Sequence, residues 1–301
     1  MNDILVSLWP LFVLILAGYA MRRSGFPGEG FWPGAERLNY FILFPALLFN
    51  SLLAAPLDHP ALPRLLAAVM LMLFVATLGL LVVRRLREWP ASRFGVQLQG
   101  LLRFNTYLGL AAVSGLYGNE GLLFAAVILA VLVPMVNVLS VLALSADNKK
   151  NLRSLLIPVA RNPLILACVA GAALNFAGFE PKWGTGDLLT LLANTSLPLG
   201  LLSVGAALKL DELRGLGGAL IGNSLIRLLA IPAVAFLIAR AMMLPSIETA
   251  IFVLFFALPT APTAYVLTRQ LGGDSQLMAG LITLQTLLSA VSLLVVMALI
   301  V

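Results

Sequence analysis

The sequence predicts an all-α membrane protein of ten transmembrane helices, arranged as two five-helix units of opposite orientation with one broken helix in each. Three observations carry that expectation: long apolar runs separated by short polar breaks, an alternation of positive charge between successive breaks, and a self-similarity at a spacing close to half the chain.

Hydrophobic residues make up 61% of the 301 and charged residues 11%, with a mean hydropathy of +1.02. A soluble domain of this size carries roughly 25% charged residues, so this chain cannot coat itself for water and lipid is its expected solvent. One span needs ~20 apolar residues. The apolar runs fall at 4–21, 36–54, 65–83, 95–117, 122–145, 162–179, 187–209, 219–243, 248–269 and 275–300. The connections are rich in Gly, Pro and charge, as loops are. The longest, 147–161, is expected to be a central cytoplasmic connection with a short interfacial helix. Asp3 precedes the first run and Arg22 and Arg23 follow it, the reverse of a signal peptide's order, so a retained first helix is expected. A single cysteine, Cys168, and a single histidine, His59, exclude an internal disulfide and a Cys- or His-built metal site. No cofactor is expected.

Fourteen of the nineteen Lys and Arg residues lie in connections that follow odd-numbered spans; only Arg64 and Lys182 follow even-numbered ones. The positive-inside rule then places the odd connections in the cytoplasm and both termini outside. It also accounts for the net charge of +6 without a nucleic-acid partner.

At a spacing of 153, Ala17, Gly18, Ala20, Gly25 and Phe26 meet Ala170, Gly171, Ala173, Gly178 and Phe179, and Pro45 meets Pro198. One residue further, Gly118 meets Gly272 and Glu120 meets Asp274. Residues 1–150 and 151–301 are therefore read as two copies of one unit. Five spans is an odd number, so the second copy enters the membrane from the other side, the construction of many secondary transporters.

In such folds the solute site forms where helices are interrupted at mid-membrane, because irregular backbone in a bilayer survives only beside a cavity or protein. Span nine contains Leu258-Pro259-Thr260-Ala261-Pro262-Thr263, and two prolines three apart deny it a continuous helix. At the repeat spacing it coincides with Arg103 to Gly109 in span four, where Asn105 and Gly109 mark a weaker break. Each break creates a helix N-terminus with free N–H groups and partial positive charge, suited to an anionic group such as a carboxylate. Asn105, Thr106, Thr260 and Thr263 are candidates for added hydrogen bonds, and Asn50 and Ser51 for contacts from span two. Tyr107, Gly109, Pro259 and Pro262 of the two interrupted segments are further candidate substrate contacts.

The ordered set Phe44 to Phe49, Asn105 to Gly109, Asn162-Pro163, Leu197 to Leu201, Gly205 to Leu208, Pro259 to Ala261 and Tyr265 to Leu267 resembles the auxin efflux carrier family of membrane transport proteins, in a bacterial member related to the plant auxin carriers. The resemblance implies an elevator architecture like that of bile-acid sodium symporters, in which broken helices four and nine cross. It implies a scaffold of helices at 4–54 and 162–209, a moving domain at 65–145 and 219–300, pairing into homodimers through the scaffold, and residence in the inner membrane. It implies export of auxin-like acids or of carboxylates such as malate and malonate. The sequence departs from the family where Ala111 and Ala112 follow Leu110 in place of a proline, and where Thr263 stands near the place of an asparagine.

Charges inside spans are costly and mark candidate sites. Arg103 and Arg227 qualify as anion attractors, against snorkelling as the plain alternative. All thirteen Asp and Glu fall at span ends or in loops, so no carboxylate is expected in the path. That argues against a proton antiporter, and leaves transport driven by potential, by substrate protonation or by an ion on backbone carbonyls. Asn137, Gln285, Thr286 and Ser289 read as interhelical hydrogen-bonding groups, Gly218 and Gly222 as a helix-packing pair, and His59 as solvated. No nucleophile-base pair marks an enzyme. The rivals that remain are a proton- or sodium-coupled carrier of the same fold, an anion channel and a membrane receptor.

Overall fold

The computed structural model of the chain is all-helical, and it describes residues 2–28, 30–55, 59–146, 161–213 and 217–300. In chain order the helices are α1 (Asn2–Arg23), α2 (Phe31–Leu38), α3 (Phe44–Leu53), α4 (Leu62–Arg87), α5 (Ala91–Leu102), α6 (Thr106–Leu144) and α7 (Pro163–Phe176). There follow α8 (Thr185–Ala206), α9 (Gly218–Leu225), α10 (Ile231–Ala241), α11 (Ser246–Ala257), α12 (Thr263–Gln270) and α13 (Ser275–Ile300). Single π-helical turns, Asn39–Leu43 and Ile226–Ala230, carry α2 into α3 and α9 into α10. The expected connection at 147–161 lies, apart from Arg161, outside the described residues.

Among the described residues six helical stretches are long and apolar enough to cross a bilayer: Ile4–Arg23, Leu62–Arg87, Thr106–Leu144, Thr185–Ala206, Gly218–Ala241 and Ser275–Ile300. Large apolar side chains cover their outer faces, among them Val6, Phe74, Leu191, Leu237 and Val291. Such a perimeter suits hydrocarbon and not water, so the chain is a multi-pass membrane protein. Thr106–Leu144 is two rods and not one: Gly118, at φ 57 and ψ −145, turns the chain inside it, a conformation closed to a residue with a Cβ.

The backbone recurs along the chain as the sequence does. Gly25 and Gly178 both have positive φ (78° and 67°). They follow α1 and α7 with the same closing bond, Phe26 N to Met21 O and, 153 residues on, Phe179 N to Leu174 O, each 3.0 Å. Glu88 and Met243 are left-handed as well (φ 50° and 52°). They are spanned by Trp89 N to Arg84 O at 3.2 Å and, 155 residues on, Leu244 N to Ala239 O at 3.0 Å. Pro90 and Pro245 then open α5 and α11 from the same extended conformation.

Glycines let two helix pairs touch backbone to backbone. A Cβ on Gly18 would lie 2.0 Å from Leu202 O, and one on Gly171 would lie 2.6 Å from Phe49 O. Shifting the first pair by 153 exchanges it for the second, so α1 meets α8 as α3 meets α7. Gly205 is tighter still, its Cβ position 1.7 Å from Ile15 O. By contrast, Gly218 and Gly222 meet nothing within 4 Å among the described residues, so the expected packing pair makes no close contact there. His59 is partly solvated, with its side chain 37% exposed; its ring packs edge-on against Phe124 at 5.1 Å, and its Nδ1 lies 3.9 Å from Glu248 Oε1.

Gly205→Val should force α1 and α8 apart and lower stability by about 2 kcal/mol or more. Gly79→Ala, in α4 with open space around it, should be neutral or stabilising by up to ~1 kcal/mol. Thermal unfolding of both variants in detergent checks the contrast.

Candidate functional site at a crossing of two broken helices

Helix α5 stops at Leu102 and α6 starts at Thr106; α11 stops at Ala257 and α12 starts at Thr263. The prolines explain the second interruption. Each removes a donor and pushes its predecessor out of helical conformation, and Leu258 is accordingly extended (φ −65°, ψ 147°). The first interruption has no proline. Arg103 and Asn105 are extended there, and Asn105 restarts the helix by accepting from Leu108 N on its Oδ1 at 3.2 Å, the action of an N-cap.

The two extended pieces run antiparallel, with Phe104 opposite Thr260. Asn105 N donates to Pro259 O at 2.8 Å, and Ala261 N donates to Arg103 O at 3.2 Å. Each break thus supplies the partner that the other's backbone lost.

The helix ends that run into the crossing are held by Arg227. It is fully buried, and its guanidinium donates to Leu258 O at 2.6 Å, to Leu101 O, and to Phe255 O at 3.5 Å. Those carbonyls close α5 and α11, where the helix dipole is negative and a cation is stabilised. Among the described residues no carboxylate forms an ion pair with it. Gln285 completes the support: its Oε1 accepts from Thr260 N (2.9 Å), and its Nε2 donates to Gly100 O (3.2 Å) and Asn223 Oδ1 (3.0 Å). Thr260 Oγ1 lies between Gln285 Oε1 (2.7 Å) and Gly100 O (3.0 Å). Asn223 Nδ2 donates onward to Gln97 O and Oε1.

Against the crossing lies a cavity of about 70 Å³, room for roughly five to seven water-sized sites. Arg103, Asn105, Thr106, Tyr107, Pro262 and Thr263 line it, with Glu36, Tyr40, Asn137, Asn162 and Ser203 from other helices. The Tyr107 ring packs on Phe44 at 4.9 Å and comes close over Gly200, whose Cβ position is 2.6 Å from that ring. Arg103 Nε reaches Thr263 Oγ1 at 3.4 Å. Arg103 Nη1, Asn105 Nδ2 and Ser203 Oγ are buried with no hydrogen-bond partner among the described residues. The first two can only donate. A wider space of about 510 Å³ shares Glu36, Tyr40, Arg103, Asn137, Asn162 and Thr263 with the cavity and continues past Arg37, Val141 and Gln270.

Six of the eleven residues expected at the site therefore line one cavity, and five do not. Gly109 sits in a regular helical turn, where its Cβ position is 2.6 Å from Leu258 Cδ1; its bareness admits the crossing strand. Pro259 acts through its carbonyl on Asn105, and Thr260 is absorbed by Gln285. Asn50 lies further along α3, away from the cavity lining. Arg227, expected to face an anion, instead spends its guanidinium on three carbonyls. A second correction concerns acids: Glu36 lines the cavity although no carboxylate was expected in the path. Its place at the start of a span concealed it, because the second helix carries it inward from there. Asn137, read as interhelical, also faces the cavity, and Asn162 lines it while its Oδ1 caps α7 at Leu164 N.

A multi-pass helical protein with two interrupted helices crossing beside a polar cavity is built to hold a small solute within the bilayer. Comparison with known proteins agrees. The model of the membrane transport protein family matches residues 140–297, more than half of the chain, and the chain belongs to that family. It is 27% identical to an "Uncharacterized transporter" of Methanothermobacter thermautotrophicus, over 94% of either chain. It is also 27% identical to a "Putative malonate transporter" of Rhizobium meliloti, over 96% of this chain and 93% of the relative. A third relative, an "Uncharacterized transporter" of Methanocaldococcus jannaschii, is 23% identical over 93% of each.

Arg227→Gln should leave most of its carbonyl partners unpaired and cost about 3 kcal/mol or more. Arg227→Lys, with a single ammonium in place of the fork, should recover only part of that loss. Thermal unfolding in detergent measures both, and wild-type stability for Arg227→Gln would contradict the assigned role.

Proposed function

We propose that this protein is a carrier for a small organic anion, binding it in the cavity at the crossing and moving it by alternating access. The observation that carries the reading is the set of unpartnered donors, Arg103 Nη1 and Asn105 Nδ2, beside the amides of Thr106 and Tyr107 that open α6. A helix start leaves its first N–H groups without partners. Here Pro259 O takes that of Asn105 and Asn105 Oδ1 takes that of Leu108. A carboxylate would satisfy the rest.

In this reading the chain has ten spans in two inverted repeats. Support comes from the recurring caps at Gly25 and Gly178 and at Glu88 and Met243. It comes equally from the exchange of the contacts Gly18–Leu202 and Gly171–Phe49 under one shift, as an axis in the membrane plane requires. Helices α1–α3, α7 and α8, locked by those glycines, form the scaffold and pair with a second copy. Helices α4–α6 and α9–α13 carry the crossing past it as an elevator. The wider space beside Arg37 and Gln270 adjoins cation-rich connections, so the cavity opens toward the cytoplasm and both termini lie outside. The name of the Rhizobium meliloti relative and the cavity's size both favour short dicarboxylates such as malonate.

Purified protein in liposomes should take up labelled malonate or malate with saturation, in exchange for the same anion inside. Arg103→Gln and Asn105→Ala, at wild-type thermal stability, should each reduce that exchange at least ~10-fold, the loss of one charge-assisted hydrogen bond. Thr263→Ala should reduce it less. Flux that does not saturate would support a channel, and wild-type rates in both of the first two variants would remove the site.

A further inference from the structure

We infer that Glu36 makes anion binding proton-linked: its carboxylate competes with the anion for the same cavity, so the protein takes up a proton when the anion arrives. The inference rests on the carrier reading and assigns that site its regulation. Glu36 lines the central cavity, the wider space beside it and a third hollow that reaches Lys209 and Tyr265. Among the described residues it is the only carboxylate lining any of these three spaces. It thus stands where the cavity meets the wider space.

The charged and titratable groups that share those spaces with it are these. Arg103, at the α5–α6 break, and Tyr107, on α6, share the cavity. Arg37 comes from its own helix and Tyr40 from the π-helical turn that follows it. Arg22 of α1, Lys209 after α8 and Tyr265 of α12 line the third hollow. None of the cations is within ion-pair distance of Glu36 among the described residues, and Arg103 Nη1 has no partner. With Glu36 ionised, the one guanidinium in the central cavity is balanced by one carboxylate. With Glu36 protonated, the cavity holds a net positive charge. A like charge close by disfavours the ionised form of a carboxylate, so an entering anion and the Glu36 proton promote each other's binding, reciprocally. Glu36 lies on α2, within the proposed scaffold. The proton therefore tunes affinity at the cytoplasm-facing stage and is not itself carried across.

The test is titration calorimetry of malonate and of malate onto the purified protein in detergent at about pH 6 and about pH 8, in two buffers of different protonation enthalpy. Wild type should bind more tightly at the lower pH and take up more protons per anion than Glu36→Gln. The variant should match the low-pH affinity at both values, once the anion's own protonation is subtracted, so that at the higher pH it binds about 5- to 150-fold more tightly than wild type. Equal pH dependence and equal proton uptake in the two proteins would overturn the inference while leaving the carrier reading intact. Absence of binding of either anion to wild type would overturn both. Unchanged thermal unfolding of Glu36→Gln, a partly exposed position, guards against a folding defect.

Discussion

Broken backbone in a low-dielectric interior is the constraint on which the rest of this structure depends. Lipid offers no hydrogen bonds to a peptide group, and each orphan costs several kcal/mol. The chain opens two helices, and its polar machinery is spent largely on repairing them. The breaks first satisfy each other, through Asn105 to Pro259 and Ala261 to Arg103. The carbonyl ends that remain are gathered by Arg227, and the remaining donor, Thr260 N, is taken by Gln285. Among the buried polar atoms with no partner among the described residues, those of Arg103, Asn105 and Ser203 lie on the cavity side.

The repair is shared unequally by the two halves. Arg227 and Gln285 both belong to the second half, yet they serve α5 and α11 alike. Residue 227 has a leucine, Leu73, at the matching place in the first half 154 residues earlier. One cation is enough because the crossing brings two helix C-termini to a single point. A second guanidinium there would meet the first as a buried like charge.

The helices outside the crossing are held differently. Gly18, Gly171 and Gly205 bring backbones into contact, where dispersion and close fit replace the hydrophobic effect that lipid cannot supply. Gly200 extends that principle to the cavity, letting Tyr107 rest against α8.

The sequence by itself determined the lipid solvent, the positions of the apolar runs, the doubled pattern and the proline-marked break, because composition, charge and proline stereochemistry act locally. Arg103, Asn105, Thr106, Tyr107, Pro262 and Thr263 were legible as residues of the cavity lining for the same reason: they lie on the interrupted segments or beside them. Only the tertiary structure decided which way the nearby polar groups turn. Arg227 and Thr260 are one-dimensionally as good candidates as Arg103, but the crossing places carbonyl ends within their reach and consumes them. Glu36 and Asn137 read as unremarkable span residues until helices distant in the chain close around one cavity and bring them to it. Side-chain fate in a membrane protein follows from which unsatisfied backbone group stands nearest, and that proximity is set by the packing of helices far apart in sequence.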